Sequence, residues 1–175
     1  MKPHHLPHPT LPNRCLLFPT FVILSLQASA QNVEMERYSL GMFSILLPEN
    51  CQEIESEEAR QYGCIGWVTP DKDFICTVCF FNFDEGFDPE KRFREEAEGV
   101  NVDLDNSERF LITTGTEQVL RCALTQRAAN NYLAIGLYPD FKKKKGVFLC
   151  MASIGPKEPT LLANVLASFR LMPED

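Results

Sequence analysis

The chain has 175 residues, of which 45% are hydrophobic and 23% charged, and its formal net charge at pH 7 is −7. This length is enough for one domain with a real core, and no internal repeat or low-complexity linker divides it. The acidic balance argues against nucleic acid as a partner, because phosphate backbones are bound by a surplus of Lys and Arg.

The first thirty residues have the pattern of a secretory signal peptide. A polar, basic lead precedes the apolar run Cys15–Leu26, and Ala28-Ser29-Ala30 supplies the small residues of a cleavage site. The run is shorter than the roughly 20 apolar residues that a membrane span needs. We therefore expect a mature chain that begins near Gln31, is secreted or periplasmic, and has no stable membrane insertion.

Removal of this segment changes the chemistry that is available. It takes away Lys2 and Arg14 and leaves 15 basic against 24 acidic residues, a net charge of −9. It also removes every histidine, so the mature chain would have no Ser-His or Cys-His nucleophile pair and no imidazole metal ligand. Six cysteines remain, an even number that permits disulfides in an exported protein. They are Cys51, Cys64, Cys76, Cys79, Cys122 and Cys150.

The mature chain begins with a polar leader, Gln31–Arg37, which we expect to be loose. Phe43–Pro48 is predicted as a strand, and the acidic, weakly patterned residues 49–61 as a loop with at most a helical turn. A second strand, Tyr62–Val68, is joined by a turn with Pro at its second position to a third strand at residues 74–83, which forms a hairpin with it.

Residues 74–83 are almost entirely β-branched, aromatic and thiol side chains, a composition that predicts a strand. Strand alternation gives this segment two apolar faces. One carries Phe74, Cys76, Val78 and Phe80, and the other Ile75, Cys79, Phe81 and Phe83. We therefore predict a central strand that is covered on both sides.

A helix is predicted to begin at Asp88, whose side chain can cap the first amide groups, with Pro89 in the first helical position. Phe93, Ala97 and Val100 would form its apolar stripe, and Gly99 would end it. Further strands are predicted over residues 109–114, 117–127, 132–138 and 147–154, and a helix over 160–169. The sum is a single α+β domain: a mostly antiparallel sheet of six to seven strands, one mid-chain helix and one C-terminal helix.

The opening strand Phe43-Ser44-Ile45, which ends at Pro48, and the final helix, which ends in Ser168-Phe169-Arg170, are similar to those of the PsbP-like fold family. Photosystem extrinsic subunits, a nuclear Ran-binding protein and many small exported bacterial proteins share this fold. The resemblance covers nearly all of residues 31–175. It implies a non-catalytic binding or assembly module, with no cofactor and no catalytic residue to transfer.

Asp84, Glu85, Asp88 and Glu90 lie on one short segment and leave an alternative function open, a carboxylate-based hydrolase or lyase of the cell envelope. A glycosidase-type pair needs two carboxylates that face each other across a cleft, which one short loop does not supply. Calcium is a second alternative for this segment, but its spacing does not match an EF-hand and Asp88 has a capping role. We expect no metal.

The cysteines form two patterns. Cys76 and Cys79 have the C-x-x-C spacing of redox sites, but on a strand they lie roughly 10 Å apart and point to opposite faces. A zinc site that combined either of them with Cys122 and Cys150 would require one sheet face to gather the thiols. Cys51 and Cys64 bracket the acidic loop, and we predict a disulfide between them that contributes up to about 3 kcal/mol.

Four consecutive lysines, Lys142, Lys143, Lys144 and Lys145, follow Tyr138 and Phe141 between two predicted strands. One interpretation is a solubilising hairpin turn that also blunts edge pairing. The other is a contact surface for a protein partner with an acidic surface. Since packing commits the strands and helices, specificity is expected from loops, and these six residues are the predicted partner contact.

Overall fold

A computed structural model describes residues 33–41, 43–113, 119–154 and 159–172. The predicted signal peptide and its cleavage site lie outside these residues, as does the predicted start of a strand at residue 117. The helices are α1 (Glu57–Gln61), α2 (Pro89–Gly99) and α3 (Pro159–Ala167), and a 3₁₀ turn spans Leu104–Asn106. The strands are β1 (Met35–Leu40), β2 (Phe43–Pro48), β3 (Gln52–Ile54), β4 (Cys64–Val68), β5 (Phe74–Asn82), β6 (Glu108–Thr113), β7 (Val119–Ala128), β8 (Asn131–Asp140), β9 (Lys145–Ile154) and β10 (Arg170–Leu171).

The strands form two antiparallel sheets. The main sheet has seven strands in the order β3-β4-β5-β9-β8-β7-β6, and a smaller sheet has the order β1-β2-β10. The α+β class, the antiparallel sheet and the mid-chain and C-terminal helices are confirmed. The strand at the centre of the main sheet is β9, with β5 beside it. Within the described ranges, no helix is long and apolar enough to cross a membrane.

The prediction of a loose leader at Gln31–Arg37 is wrong from Met35 onwards. Met35 begins β1, which pairs with β2 along its whole length. Tyr38 and Leu40 of β1 pack against the core that β2 enters. The sequence analysis missed β1 because half of its residues are polar. An edge strand with one solvent-exposed face has only a short apolar pattern.

Two apolar cores lie on opposite faces of the main sheet. On one face, α3 and the small sheet pack against β5, β8 and β9, and Phe43, Leu149 and Phe169 are fully buried there. On the other face, Phe93 and Ala97 of α2 belong to a second core. Its sheet residues include Leu133, Ile135 and Leu137 of β8 and Phe148 of β9. Both cores share β8 and β9, which explains why these strands have few polar residues.

The prediction that β5 is covered on both sides is only partly right. Phe74, Cys76 and Val78 are buried against the first core, as predicted. On the opposite face, Ile75 remains 38% exposed. The reason is that α2 packs against β8 and leaves the β4–β5 end of this face without a covering helix.

The start of α2 is as predicted, and its end differs in one residue. The Asp88 carboxylate accepts hydrogen bonds from the amides of Glu90 and Lys91 at 2.9 and 3.1 Å. Gly99 is the last helical residue, but Asn101 has the left-handed conformation, with φ of 56°. The Val102 amide bonds the Ala97 carbonyl at 2.7 Å, so Asn101 closes the helix in a Schellman motif.

The end of α3 is joined to the small sheet through Ser168. Its hydroxyl accepts a hydrogen bond from the Leu46 amide at 2.8 Å and donates one to the Val165 carbonyl at 2.6 Å. The next residue, Phe169, stacks on Phe43 with ring centroids 5.0 Å apart. The helix therefore ends two residues before the predicted Phe169, at Ala167, and the following residues bind β2 instead.

The predicted Cys51–Cys64 disulfide is wrong, because Cys64 is bonded to Cys79. These two residues lie directly opposite each other on β4 and β5, with Cα atoms 4.0 Å apart. The neighbouring Phe80 amide bonds the Gly63 carbonyl, which makes Cys64–Cys79 a non-hydrogen-bonded pair, the closer kind in an antiparallel ladder. Gln52 lies opposite Val68, so Cys51 is near the far end of β4, roughly 13 Å from Cys64.

We expect tryptic mapping without reduction to link residues 61–72 to residues 73–91 and to leave residues 38–60 unlinked. Replacement of both Cys64 and Cys79 by Ser should lower the free energy of unfolding by about 3 kcal/mol, because the closed loop restricts the unfolded chain. Denaturant unfolding measures this loss, and a reductant should reproduce it in the unsubstituted protein. A peptide that links residues 38–60 to residues 61–72 would contradict the assignment.

Gly136 is expected to be intolerant of a side chain. A Cβ atom there would lie 3.0 Å from Leu166 of α3 and 3.2 and 3.3 Å from Leu120 and Leu149. Gly136→Val should therefore lower the free energy of unfolding by about 1–3 kcal/mol through overpacking. Gly99→Ala is the matched control, since nothing lies within 4 Å of its Cβ position. Equal denaturation midpoints for the two variants would contradict this packing.

Candidate functional site

The four predicted lysines lie at the turn between β8 and β9. Asp140 and Lys145 form the last pair of the ladder. Asp140 is 8% exposed as a residue, and its carboxylate accepts hydrogen bonds from the amides of Lys142 and Lys143 at 3.0 and 3.1 Å. Lys144 takes a left-handed conformation, with φ of 51°, and the chain then enters β9. The backbone of this turn is therefore fixed by its own residues.

A second segment of chain holds the turn from the side. The Phe83 amide, just beyond the end of β5, donates a hydrogen bond to the Lys144 carbonyl at 3.0 Å. The Lys144 ammonium lies 3.1 Å from a carboxylate oxygen of Glu85. Since both side chains are exposed, this ion pair contributes little to stability, and its effect is to lower the local positive charge.

Four aromatic rings form a group beside the turn, which we call the phenylalanine cluster: Phe81, Phe83, Phe87 and Phe141. Phe83 stacks on Phe87 with centroids 4.1 Å apart, and the edge of Phe141 meets Phe83 at 5.6 Å. Phe81 lies opposite Gly146, where a Cβ atom would come within 2.2 Å of the Phe81 ring. Gly146 therefore provides the space for Phe81, and Phe81 in turn contacts Phe83 and Phe87.

Of the six residues predicted as the partner contact, five are exposed at the turn and one is buried. Phe141 is 49% exposed, and the four lysines are exposed beside it. Tyr138 was predicted wrongly, because its side chain is 0% exposed and packs 5.4 Å from the ring of Phe169 in the first core. Residue spacing alone placed Tyr138 near the turn, but strand alternation directs it away from the Phe141 side.

Three arginines that the sequence analysis did not single out surround Glu90, and we call them the arginine cluster: Arg94, Arg109 and Arg121. Their guanidinium nitrogens lie 3.4, 2.6 and 3.9 Å from the Glu90 carboxylate oxygens. Arg94 follows Glu90 by four residues on α2, a spacing from which a helix pattern indicates the ion pair. Arg109 of β6 and Arg121 of β7 reach Glu90 only through the tertiary structure, although the alternation of Arg121 with core residues had placed it on a sheet face.

Three of the four carboxylates of the alternative enzyme have other contacts here. Asp88 caps α2, Glu85 lies beside Lys144, and Glu90 contacts the arginine cluster. Asp84 is exposed on the same loop. The geometry that a glycosidase-type pair requires, two carboxylates across a cleft, is not what these residues present. Within the ranges described, no group of three or more His, Cys, Asp or Glu side chains is arranged to hold a metal ion.

The cysteines considered for a redox or zinc site lie on different faces of the main sheet. Cys76 and Cys79 point to opposite faces of β5, as predicted, and burial raises the pKa of the Cys76 thiol so that it remains protonated. Cys122 lies in the same core as Cys76, whereas Cys150 packs against the opposite core. Burial raises the pKa of Cys150 to about 11. Because the sheet separates these thiols, they do not form the face that a zinc site would need.

The fold matches solved structures at low sequence identity. The solution structure of cyanobacterial PsbP (CyanoP) from Synechocystis sp. PCC 6803 aligns with a TM-score of 0.56 and 13% identity, over 85% of this chain and 99% of that one. The Saccharomyces cerevisiae Ran-binding protein Mog1p aligns with a TM-score of 0.53 and 11% identity, over 79% and 96% of the two chains. No protein-family model and no curated protein sequence matches the chain. The protein therefore has the predicted PsbP-like fold.

We expect Asp140→Ala to loosen the turn, because two backbone amides lose their acceptor. Hydrogen exchange at the Lys142 and Lys143 amides should become faster, and the free energy of unfolding should fall by about 1 kcal/mol. Asp140→Asn is the matched control, since its amide oxygen can still accept both bonds. Unchanged exchange at both amides in Asp140→Ala would contradict the role of this side chain.

Proposed function

We propose that the protein is an exported, non-catalytic binding or assembly module. On this proposal it contacts a protein partner with an acidic surface through Phe141 and Lys142–Lys145. The observation that carries the proposal is the turn itself: exposed lysines and a half-exposed phenylalanine on a backbone that Asp140 and Phe83 hold in place. A fixed loop presents its side chains to a partner at a lower cost in conformational entropy than a flexible one.

The composition of this surface supports a protein partner. Apolar aromatic residues at the middle and charged residues at the margin are typical of protein–protein contact surfaces. Phe141 makes edge contacts with Phe83 and Phe87, and the four exposed lysines follow it directly in the chain. The lysines oppose the net charge of the chain, so their field would orient an approaching acidic surface.

The fold supports a binding module over an enzyme. One of the solved structures that share it is named as a Ran-binding protein. Fold likeness at this identity gives no partner and no residue roles, so Ran itself is not proposed here. Export is supported by the signal-type pattern of residues 1–30 and by the Cys64–Cys79 disulfide, a bond that persists in oxidising compartments.

We expect replacement of Lys142, Lys143, Lys144 and Lys145 by Ser to leave the fold intact and to weaken native association. Exposed turn residues bury little area, so the free energy of unfolding should change by less than about 1 kcal/mol. The measurement is capture of partners from an envelope extract by the purified protein and by the variant, at low and high salt. Because the contact is electrostatic, added salt should reduce capture by the unsubstituted protein.

The matched control removes two positive charges from another part of the surface. Arg60→Ser with Lys72→Ser is compared with Lys142→Ser with Lys143→Ser, so that each variant removes two exposed positive charges. Loss of capture only in the pair at residues 142 and 143 supports the proposal. Equal recovery of one partner by all variants at both salt concentrations would show that the turn is only a solvated hairpin end.

A further inference from the structure

We propose that the arginine cluster is a carboxylate-binding site, and that it holds the acidic side chains of the same partner segment that contacts the phenylalanine cluster. Glu90 is the internal carboxylate that now occupies it. This inference rests on the proposed function, since it extends that surface across the N-terminal end of α2. It assigns a ligand class, an acidic peptide segment with apolar side chains.

The arginine cluster carries more positive charge than Glu90 neutralises. Among the residues that the structure describes, three guanidinium groups lie within 4 Å of the Glu90 carboxylate, so these four side chains together carry a net charge of +2. Each guanidinium has five N–H donors in a planar fork, whereas one carboxylate offers about four acceptor positions. Further carboxylate oxygens can therefore be bound beside Glu90, and arginine is well suited to hold them in a bidentate manner.

The arginines of the cluster are held by different elements of the fold. They come from a helix and two strands, and Arg109 donates a hydrogen bond to Glu90 at 2.6 Å, which holds this side chain in place before a ligand arrives. A site of this kind loses little side-chain entropy on binding. Part of each guanidinium-bearing side chain remains exposed, with Arg94 the most accessible of the three.

Apolar side chains lie near the arginine cluster. Leu111 lies directly opposite Arg121 in the β6–β7 ladder and is 65% exposed. Phe87 precedes Glu90 by three residues and stacks on Phe83, beside the exposed Phe141. The arginine cluster therefore has the exposed Leu111 opposite Arg121 and the half-buried Phe87 a short distance along the chain from Glu90. Free phosphate or a lone metabolite anion would use the charge but neither Leu111 nor the phenylalanine cluster, and this favours a peptide.

The test uses a fluorescein-labelled synthetic peptide rich in glutamate, with a leucine at every third position, and the purified full chain. Binding is measured by fluorescence anisotropy at low salt. We expect Arg109→Gln and Arg94→Gln each to weaken binding about fivefold. Lys91→Gln is the matched control on α2, where Lys91 contacts Glu95, and it should change the dissociation constant by less than about twofold. Glu90→Gln should tighten binding about threefold, because it removes the competing charge and keeps an acceptor.

The outcomes separate this inference from the proposed function. If the variant with Ser at residues 142–145 loses binding and the arginine variants keep it, the inference is overturned and the proposed function stands. If the arginine variants lose binding and the Ser variant keeps it, the arginine cluster is supported and the role of the lysines fails. If Lys91→Gln and Arg109→Gln raise the dissociation constant equally, the peptide responds only to the overall surface charge, and the inference is overturned. Inorganic phosphate that binds as tightly as the peptide would overturn the assignment to carboxylates.

Discussion

The main sheet is apolar on both faces, and the rest of the fold depends on covering them. Leu149 of the central strand β9 faces one core and its neighbour Phe148 faces the other. Each buried side chain of this size contributes about 1.5–3 kcal/mol when it leaves water, so the central strands need cover on both faces. One face is covered by α3 together with the small sheet, and α2 covers the β8 part of the other; this requirement fixes where α2 and α3 lie.

The position of α2 explains the location of the candidate site. Phe87, just before the helix, contacts Phe141 of the β8–β9 turn, and Glu90 in the first helical turn meets Arg109 of β6 and Arg121 of β7. At the other end, Arg127 donates a hydrogen bond to the Val100 carbonyl. The segment between β5 and α2 must then run past the β8–β9 turn. That path brings the phenylalanine cluster against the lysines and forms one surface from two segments distant in sequence.

The likeness to solved structures defines the fold and leaves the function to the loops. CyanoP and Mog1p share this arrangement at 13% and 11% identity, which is too low for residue roles to be carried over. A fold of this kind can carry different partners on different loops while its cores remain equivalent. In this chain the candidate surface is formed by the Asp140-held turn, the phenylalanine cluster and the arginine cluster.

Sequence alone determined the features that depend on neighbours along the chain. Strand alternation gave β5 its first buried face, and the Asp88-Pro89 start of α2 followed from the need to cap free amides. The lysine turn was visible because all of its residues are consecutive. Only the tertiary structure decided which strands are neighbours, and hence that Cys64 bonds Cys79, that Tyr138 is buried and that Arg109 and Arg121 meet Glu90. These depend on contacts between segments far apart in sequence, and hydrophobic periodicity specifies which face is buried without specifying what it meets.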